Sequence, residues 1–373
     1  MTLAGEATRV GEARVGRVIA SWPLLIALAL GVMLLNIGLG SVRVDPHTVV
    51  SVVIYRIGDL AGGIPGVAGL VDWLGDTVLV VPDARDDSVV WFIRMPRTLL
   101  GAAVGAGLGV AGAALQGVFR NPLADPSLIG VSAGASVGAV AALALGVAWL
   151  GIWTVPAFAL VAALIVLGVV YVLARRGGRT EVVTLILAGV AISSVASGAV
   201  GWVTAVAMDA GVGSTTFWQL GGLGAARWQQ VGVVALVVTI GAVALTLFAP
   251  ALNLLALGER EARHLGVDVE RMRVVIMVIV AAITGAAVSF AGVIGFVGLV
   301  GPHLLRLACG PDHRQVLPKS AAVGAIMLML ADMTARLAVA PMELPVGVVT
   351  GLIGGPFFAW LLVRTRKEQG GWA

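Results

Sequence analysis

Ten stretches of this chain are apolar over lengths close to the thickness of a lipid bilayer, and this pattern constrains the fold more than any other feature. A helix needs about 20 apolar residues to cross the hydrocarbon core. The stretches lack the alternation of apolar and polar residues that marks a strand in a lipid-facing barrel, so helices must satisfy the backbone internally. The candidate spans are residues 18–39, 95–119, 127–149, 153–174, 182–206, 229–248, 274–291, 293–308, 317–339 and 345–363. The sequence therefore predicts an all-α, polytopic membrane protein with about ten transmembrane helices per subunit.

The composition agrees with a protein whose main solvent is lipid. Of the 373 residues, 59% are hydrophobic and 12% are charged, whereas soluble domains carry about a quarter charged residues. Glycine occurs 51 times, and small residues allow membrane helices to approach closely. Gly101, Gly105 and Gly109 follow one another at four-residue spacing, which predicts tight packing of the 95–119 span. The net charge of +4 comes from short arginine clusters between spans, so no nucleic-acid partner is predicted.

The arginines and lysines predict the orientation of the chain in the membrane. With a cytoplasmic N-terminus, seven of the 24 basic residues fall outside and the other seventeen fall inside, which is the asymmetry expected of membrane proteins. An even number of spans then returns the C-terminus to the cytoplasm, beside Arg364 and Arg366. The seven outer residues are Arg43, Arg56, Arg85, Arg94, Arg97, Arg227 and Arg336. The sequence thus predicts a single transmembrane domain, 1–373, in a bacterial cytoplasmic membrane with both termini inside.

Two connecting segments are long enough to hold structure of their own. Residues 41–93 form a predicted external loop, with an amphipathic helix around residues 46–57. Residues 250–273 form a predicted cytoplasmic loop in which Gly258 and Gly266 bracket a short, charged helix. This helix is either a solvated connector or an element that enters a groove of a cytoplasmic partner, as amphipathic helices do.

The chain lacks the motif that would let it bind ATP through a phosphate-binding loop. Such a loop ends in Gly-Lys-Ser or Gly-Lys-Thr, and the lysines, Lys319 and Lys367, follow Pro318 and Arg366. If ATP and magnesium drive transport, a separate subunit must bind them, and this chain is predicted to be non-catalytic and without a cofactor. The four histidines do not pair at metal-ligand spacing, so no metal site is predicted, although a haem iron could use His47 transiently.

Several motifs in order resemble those of the FecCD-type permeases of ABC importers, which carry ferric siderophores, haem and vitamin B12. The resemblance covers about residues 91 to 365, and residues 41–90 form a longer segment than the family leads us to expect. The matching runs are residues 94–97 (RMPR), 116–126 (QGVFRNPLADP), 130–135 (GVSAGA), 256–266 (ALGEREARHLG), 295–303 (GFVGLVGPH), 310–314 (GPDHR), 330–332 (LAD), 335–336 (AR) and 343–347 (ELPVG).

The resemblance implies a homodimer of ten-helix subunits, two ATPase subunits on the cytoplasmic side and an external solute-binding protein. It implies a coupling helix on the ATPase formed by Gly258, Glu259, Ala262, Arg263, Leu265 and Gly266. It implies that Arg94, Arg97 and Arg336 contact acidic residues of the binding protein. The same likeness suggests a path and gate that include Thr180, Thr184, Phe217 and Trp218.

Alternatives remain open for the arginines and for the function. Arg336 lies four residues after Asp332 and could pair with it, and Asp86 and Asp87 could neutralise Arg94. A secondary transporter would instead use ionisable groups near the middle of the membrane, of which Asp332, Arg336 and Glu343 are the candidates, and a membrane scaffold would need only packing. We expect an importer permease that translocates haem, with a ferric siderophore or cobalamin as the alternative cargo.

Overall fold

The computed structural model describes residues 21–40, 42–60, 73, 75, 79–176, 179–206 and 218–368. Over these residues the chain is almost wholly helical, apart from a two-residue antiparallel pair between β1 (Arg175–Arg176) and β2 (Arg179–Thr180). The α-helices are α1 (Trp22–Gly38), α2 (Pro46–Leu60), α3 (Ala84–Ser88), α4 (Met95–Phe119), α5 (Val131–Ala144), α6 (Thr154–Ala174), α7 (Val182–Val206), α8 (Trp228–Leu247), α9 (Ala249–Leu257), α10 (Glu259–His264), α11 (Val269–Ala291), α12 (Val297–Cys309), α13 (His313–Leu337) and α14 (Val346–Glu368).

The apolar helices coincide with the predicted spans. Six helical stretches of the described residues are long and apolar enough to cross a membrane, and α1, α5, α12 and the first part of α14 are shorter apolar helices. Each of the ten predicted spans overlaps one of these helices, so the all-α membrane fold is confirmed. The predicted span 127–149 is the least accurate. Within this span only α5 is an α-helix. Pro126 begins a separate 3-10 turn before it, and Gly130 adopts a left-handed backbone with φ of 79°.

Helix α4 lies at the centre of the fold. In the most apolar 18 residues of the helical stretch that contains α4, 78% are buried, compared with 17% in α7. A methyl group added at Gly105 would overlap the carbonyl oxygen of Gly324 on α13, and one added at Gly109 would overlap that of Ser320. The glycines at four-residue spacing therefore allow the backbones of α4 and α13 to come into contact, and no side chain fits between them.

The helical structure is interrupted between α11 and α12, at the place where the sequence predicts that one span ends and the next begins. Helix α11 ends at Ala291, and α12 begins at Val297. Gly292, which follows the last residue of α11, and Phe296, which precedes the first residue of α12, both have φ of 68°, in the positive range that glycine adopts at least cost. A side chain at Gly292 would also overlap the carbonyl oxygen of Trp218, so this break is packed against the segment that follows α7.

Both segments predicted as loops contain helices. The predicted cytoplasmic loop, 250–273, is largely helical, because Pro250 starts α9 in its first turn, Gly258 separates α9 from α10, and Asp268 caps α11 by accepting a hydrogen bond from the Arg271 amide. Within 41–93, α2 matches the predicted amphipathic helix. The described part of that segment continues into α3 and a π-helical turn, Val89–Arg94, that leads directly into α4.

Candidate functional site

The predicted coupling residues form a short helix between two glycines with positive φ. Gly258 has φ of 143° and Gly266 has φ of 87°, conformations that residues with a Cβ rarely adopt. Between them, Ala262 is fully buried in the main apolar core, whereas Leu265 is 61% exposed. Helix α10 is therefore anchored on one face and open on the other, as a helix that contacts a second protein must be.

The charged residues of α10 are paired, and one pair reaches beyond the helix. Arg263 donates to Glu259 at 3.2 Å across one turn, which supports the helix. Arg273, in the first turns of α11, donates from Nη2 to the other carboxylate oxygen of Glu259 at 2.5 Å. The Arg273 side chain is only 3% exposed, so this contact fixes the start of α10 against α11.

The same guanidinium holds the turn that enters α7. Arg273 Nη1 donates to the carbonyl oxygen of Thr180 at 3.0 Å and lies 3.7 Å from Glu270 Oε2. Glu270 in turn accepts hydrogen bonds from the backbone N–H of Thr180, at 3.1 Å, and from its hydroxyl group. The structure therefore brings the predicted gate residue Thr180 and the predicted coupling residue Glu259 together through one arginine.

The other predicted gate residues lie apart from this contact. Thr184 donates to Glu181 at 2.7 Å within the first turn of α7. Trp218 follows the far end of α7, which has 25 residues and hence a length of about 37 Å. There Trp218 lines a cavity of about 500 Å³ with Gln230 and Phe290. Phe217, the remaining predicted path residue, lies outside the described residues.

The three predicted docking arginines lie together, and their side chains are inside the protein. Arg94 is 6% exposed, Arg97 is 7% exposed and Arg336 is 8% exposed. With Gly40 and Glu343 they line a cavity of about 170 Å³. The structure thus brings the three arginines to one place, but inside the protein rather than on an open surface.

Each of these arginines has partners within the chain. Arg97 binds Asp332 and Glu343, both at 2.8 Å. Arg336 binds Asp332 at 3.2 Å, the pair that the sequence offers as an alternative, and it also donates to carbonyl oxygens at the end of α1.

Arg94 has a different set of partners from the one that the sequence suggests. It donates to the carbonyl oxygens of Ile37, at 2.7 Å, of Gly38, at 3.0 Å, and of Val42. The neighbouring carboxylate of Asp87 pairs with Arg56 instead. Among the described residues, no carboxylate lies within ion-pair distance of Arg94.

A further cavity, distinct from the two already described, lies beside α7. A cleft of about 540 Å³ is lined by small and neutral side chains from α5, α7 and the segment after α7. Its polar groups include the hydroxyls of Ser136, Ser197 and Thr204 and the amide of Gln219. The lining contains no charged side chain among the described residues, so the cleft offers weak hydrogen bonds and van der Waals contact rather than ion pairing.

One known protein family matches most of this chain. The sequence profile of the FecCD transport family matches residues 25–364. The chain belongs to this family.

Individual FecCD relatives cover most of the chain. It is 44% identical to the cobalamin import system permease protein BtuC of Halobacterium salinarum, over 83% of this chain and 82% of the relative. It is 41% identical to the hemin transport system permease protein HmuU of Yersinia pestis, over 76% of this chain and 85% of the relative. A solved structure described as an inward-facing, metal-chelate-type ABC transporter aligns with a TM-score of 0.76 at 27% identity, covering 91% of this chain and 97% of that one.

Family membership confirms the resemblance seen in the motifs and extends it. The chain is an ABC-importer permease of the FecCD type. The FecCD match begins at residue 25, so the segment 41–93, which the motifs leave outside the resemblance, lies within the family's common region. In the structure this segment ends in the π-helical turn, Val89–Arg94, that leads directly into the central helix α4.

Sequence reasoning missed the residues that connect the predicted sites. Neither Arg273 nor Glu270 stands out in the sequence as a candidate site residue. The spacing of three between Glu270 and Arg273 was an available signal for a helical ion pair. The contact between Arg273 and Glu259 spans two helices, and no spacing rule predicts it.

Proposed function

We propose that this chain forms the transmembrane path by which an importer carries a metal tetrapyrrole, haem in the first instance, into the cytoplasm. Two copies would enclose the path, two ATPase subunits would bind α10, and an external binding protein would deliver the cargo. The observation that carries the choice of cargo is the uncharged cleft beside α7. A flat, largely apolar macrocycle could slide past small neutral side chains without being held by ion pairs.

Cobalamin is the second candidate. The permease named for cobalamin import is 44% identical to this chain and the one named for hemin transport is 41% identical. This small difference favours neither cargo, and both cargoes are metal chelates of large macrocycles. A ferric siderophore is the third candidate, because the family resemblance includes such carriers.

The orientation that we propose places α10 on the cytoplasmic side and the arginine cluster outside. In this arrangement the exposed face of α10, including Leu265, is free to enter a groove of the ATPase. Both termini would lie in the cytoplasm, as the distribution of basic residues predicts. In this arrangement α4 runs from the outer side, where Arg94 and Arg97 lie, to the cytoplasmic side, where Arg120 follows its last residue.

The cluster of Arg94, Arg97 and Arg336 is proposed to receive an acidic residue of the binding protein. Three guanidinium groups face two carboxylates, those of Asp332 and Glu343, so one positive charge is not balanced locally. Glu343 is the member whose side chain is 46% exposed. A carboxylate from outside could therefore approach beside Glu343 and supply the missing negative charge, which favours the correct partner and orientation.

Reconstitution with the ATPase and the binding protein tests this proposal. The complex would be placed in proteoliposomes, and uptake and ATP hydrolysis would be measured with the binding protein loaded in turn with hemin, cyanocobalamin or a ferric hydroxamate. We expect ATP-dependent uptake, strongest with hemin. Stronger uptake of cyanocobalamin or of the hydroxamate would reject haem as the cargo, and uptake that continues without the ATPase would reject the importer mechanism.

A further inference from the structure

We propose that Arg273 is a positioning residue that transmits displacement of α10 to the turn before α7, so that the ATPase acts on the path through this one side chain. The inference rests on the proposed function, because it requires α10 to be the contact with the ATPase. Its basis is the set of contacts that one buried guanidinium makes on two sides.

On the first side, Arg273 holds the beginning of α10. It binds Glu259, the first residue of the helix, at 2.5 Å. Gly258 and Gly266 border α10 with positive φ values, and glycines tolerate backbone rotation better than other residues. Helix α10 can therefore move as a short rigid unit, and the ion pair with Arg273 is the polar restraint at its N-terminal end.

On the second side, Arg273 and Glu270 hold both backbone polar groups of Thr180. The carbonyl oxygen of Thr180 accepts from Arg273 at 3.0 Å, and its N–H donates to Glu270 at 3.1 Å. The Thr180 hydroxyl also donates to Glu270. Thr180 comes two residues before α7, so a shift of Arg273 moves the start of the helix whose C-terminal half lines the neutral cleft.

The chemistry of arginine suits this connection. A guanidinium group is planar and carries several donors in a fixed geometry, so its two terminal nitrogens can bind different acceptors at once. Here Nη2 binds Glu259 and Nη1 binds Thr180. The remaining donor, Nε, is buried and has no partner among the described residues. A lysine would supply the charge as a single point and could not join both sides in the same way.

The test compares variants of Arg273 with a matched arginine on the same helix. Arg273→Gln, Arg273→Lys and Arg271→Gln would each be introduced into the full complex in proteoliposomes, with assembly checked by co-purification of the ATPase. Arg271 is an exposed residue two positions away. The measured quantity is the number of cargo molecules taken up per ATP hydrolysed.

We expect Arg273→Gln to assemble and hydrolyse ATP while uptake per ATP falls about tenfold, a typical size for coupling between two sites. Arg273→Lys should give an intermediate ratio, and Arg271→Gln should match the wild type. A wild-type ratio for Arg273→Gln would overturn the inference. A wild-type ratio for Arg273→Lys would overturn the two-sided role, because charge alone would then suffice.

Two further results separate the possible failures. If Arg273→Gln does not assemble, Glu259→Gln, which removes the charge of a partly exposed side chain, takes its place: a reduced ratio supports the connection and an unchanged ratio refutes it. If the wild-type complex shows no ATP-driven uptake, the proposed function itself fails. A working wild type with unaffected Arg273 variants rejects only the role of Arg273.

Discussion

Replacement of Asp332 by alanine should destabilise the fold more than any other single change in the arginine cluster. The Asp332 side chain is 1% exposed and accepts from Arg97 at 2.8 Å and from Arg336 at 3.2 Å. Its removal leaves two buried guanidinium groups without their shared carboxylate. An uncompensated buried charge has a large free-energy cost, because the group has lost its water as well as its partner.

The structure sets the expected magnitude. Breaking a buried pair by removing one partner costs about 3–5 kcal/mol. Arg97 would keep Glu343 at 2.8 Å, and Arg336 would keep acceptors from Asn36 and Leu39 at 2.8 Å. These remaining contacts place the expected loss near the lower end, at about 3 kcal/mol.

Glu343→Gln is the matched control for Asp332→Ala. Its carboxylate also binds Arg97 at 2.8 Å, but the side chain is 46% exposed. A solvated ion pair contributes at most about 1 kcal/mol, so this variant should stay close to the wild type. The comparison separates the effect of burial from the effect of losing a contact with Arg97.

Equilibrium unfolding of the purified chain in mixed micelles, with SDS as the denaturant, measures the two free energies. We expect Asp332→Ala to unfold at clearly lower SDS than Glu343→Gln. In a double-mutant cycle with Arg336→Met, the combined loss should be smaller than the sum of the single losses, because the second change removes one of the unpaired charges. Equal stability of Asp332→Ala and Glu343→Gln would refute the reasoning.

Three other predictions concern packing, coupling and pH. Gly109→Leu should lower the unfolding free energy by about 1–3 kcal/mol in the same assay, since its side chain would overlap the carbonyl oxygen of Ser320. Ala262→Asp should reduce uptake per ATP in proteoliposomes, because a charge cannot occupy the buried face of α10 without moving the helix. Asp312→Ala should lower the melting temperature at neutral pH, and the difference from the wild type should shrink in acid. The Arg314 amide, and then the Asn253 side chain, hold the pKa of Asp312 below its ordinary value. Its stabilisation is therefore complete above about pH 4 and is lost as the pH falls through the lowered pKa.

Two of the three have a control variant in the same chain, and the third has a result that would contradict it. Gly232→Ala introduces a methyl group on α8 where nothing lies within 4 Å, and it should leave stability unchanged. Ala256→Asp places a charge at an exposed position of α9 and should leave coupling intact. A melting-temperature difference for Asp312→Ala that stays constant from pH 7 into strong acid would contradict the capping role.

Much of the architecture could be predicted from the sequence because membrane helices are recognised from local properties. A run of about 20 apolar residues predicts a span wherever the rest of the chain lies, and glycines at positions 101, 105 and 109 predict close packing whichever helix comes to lie against them. The short helix between Gly258 and Gly266 could be predicted for a similar reason, since glycine often ends one helix and precedes another. Helices α3 and α9 were missed because they are only five and nine residues long, which is shorter than the window over which a helical period can be recognised.

The burial of Arg94, Arg97 and Arg336 could not be predicted in the same way. An outer arginine and a buried arginine have the same sequence appearance, and the difference depends mainly on acceptors that lie 52 to 300 residues away along the chain. Asp332 and Glu343 are close to Arg336 in sequence but are distant from Arg97. Only the packing of α4 against α13 brings Arg97 close to Asp332, Arg336 and Glu343.

The sequence alone determined that the protein lies mostly in lipid, the approximate bounds of its spanning helices, its resemblance to the FecCD family and the position of the short helix between Gly258 and Gly266. These properties depend on composition and on spacings within one or two helical turns. The tertiary structure decided which charges are paired, and it joined Glu259, Thr180 and Glu270 through Arg273. Such contacts follow from how separate helices pack, because a side chain binds whichever acceptor the folded chain brings within about 3 Å, however far apart the residues are in sequence.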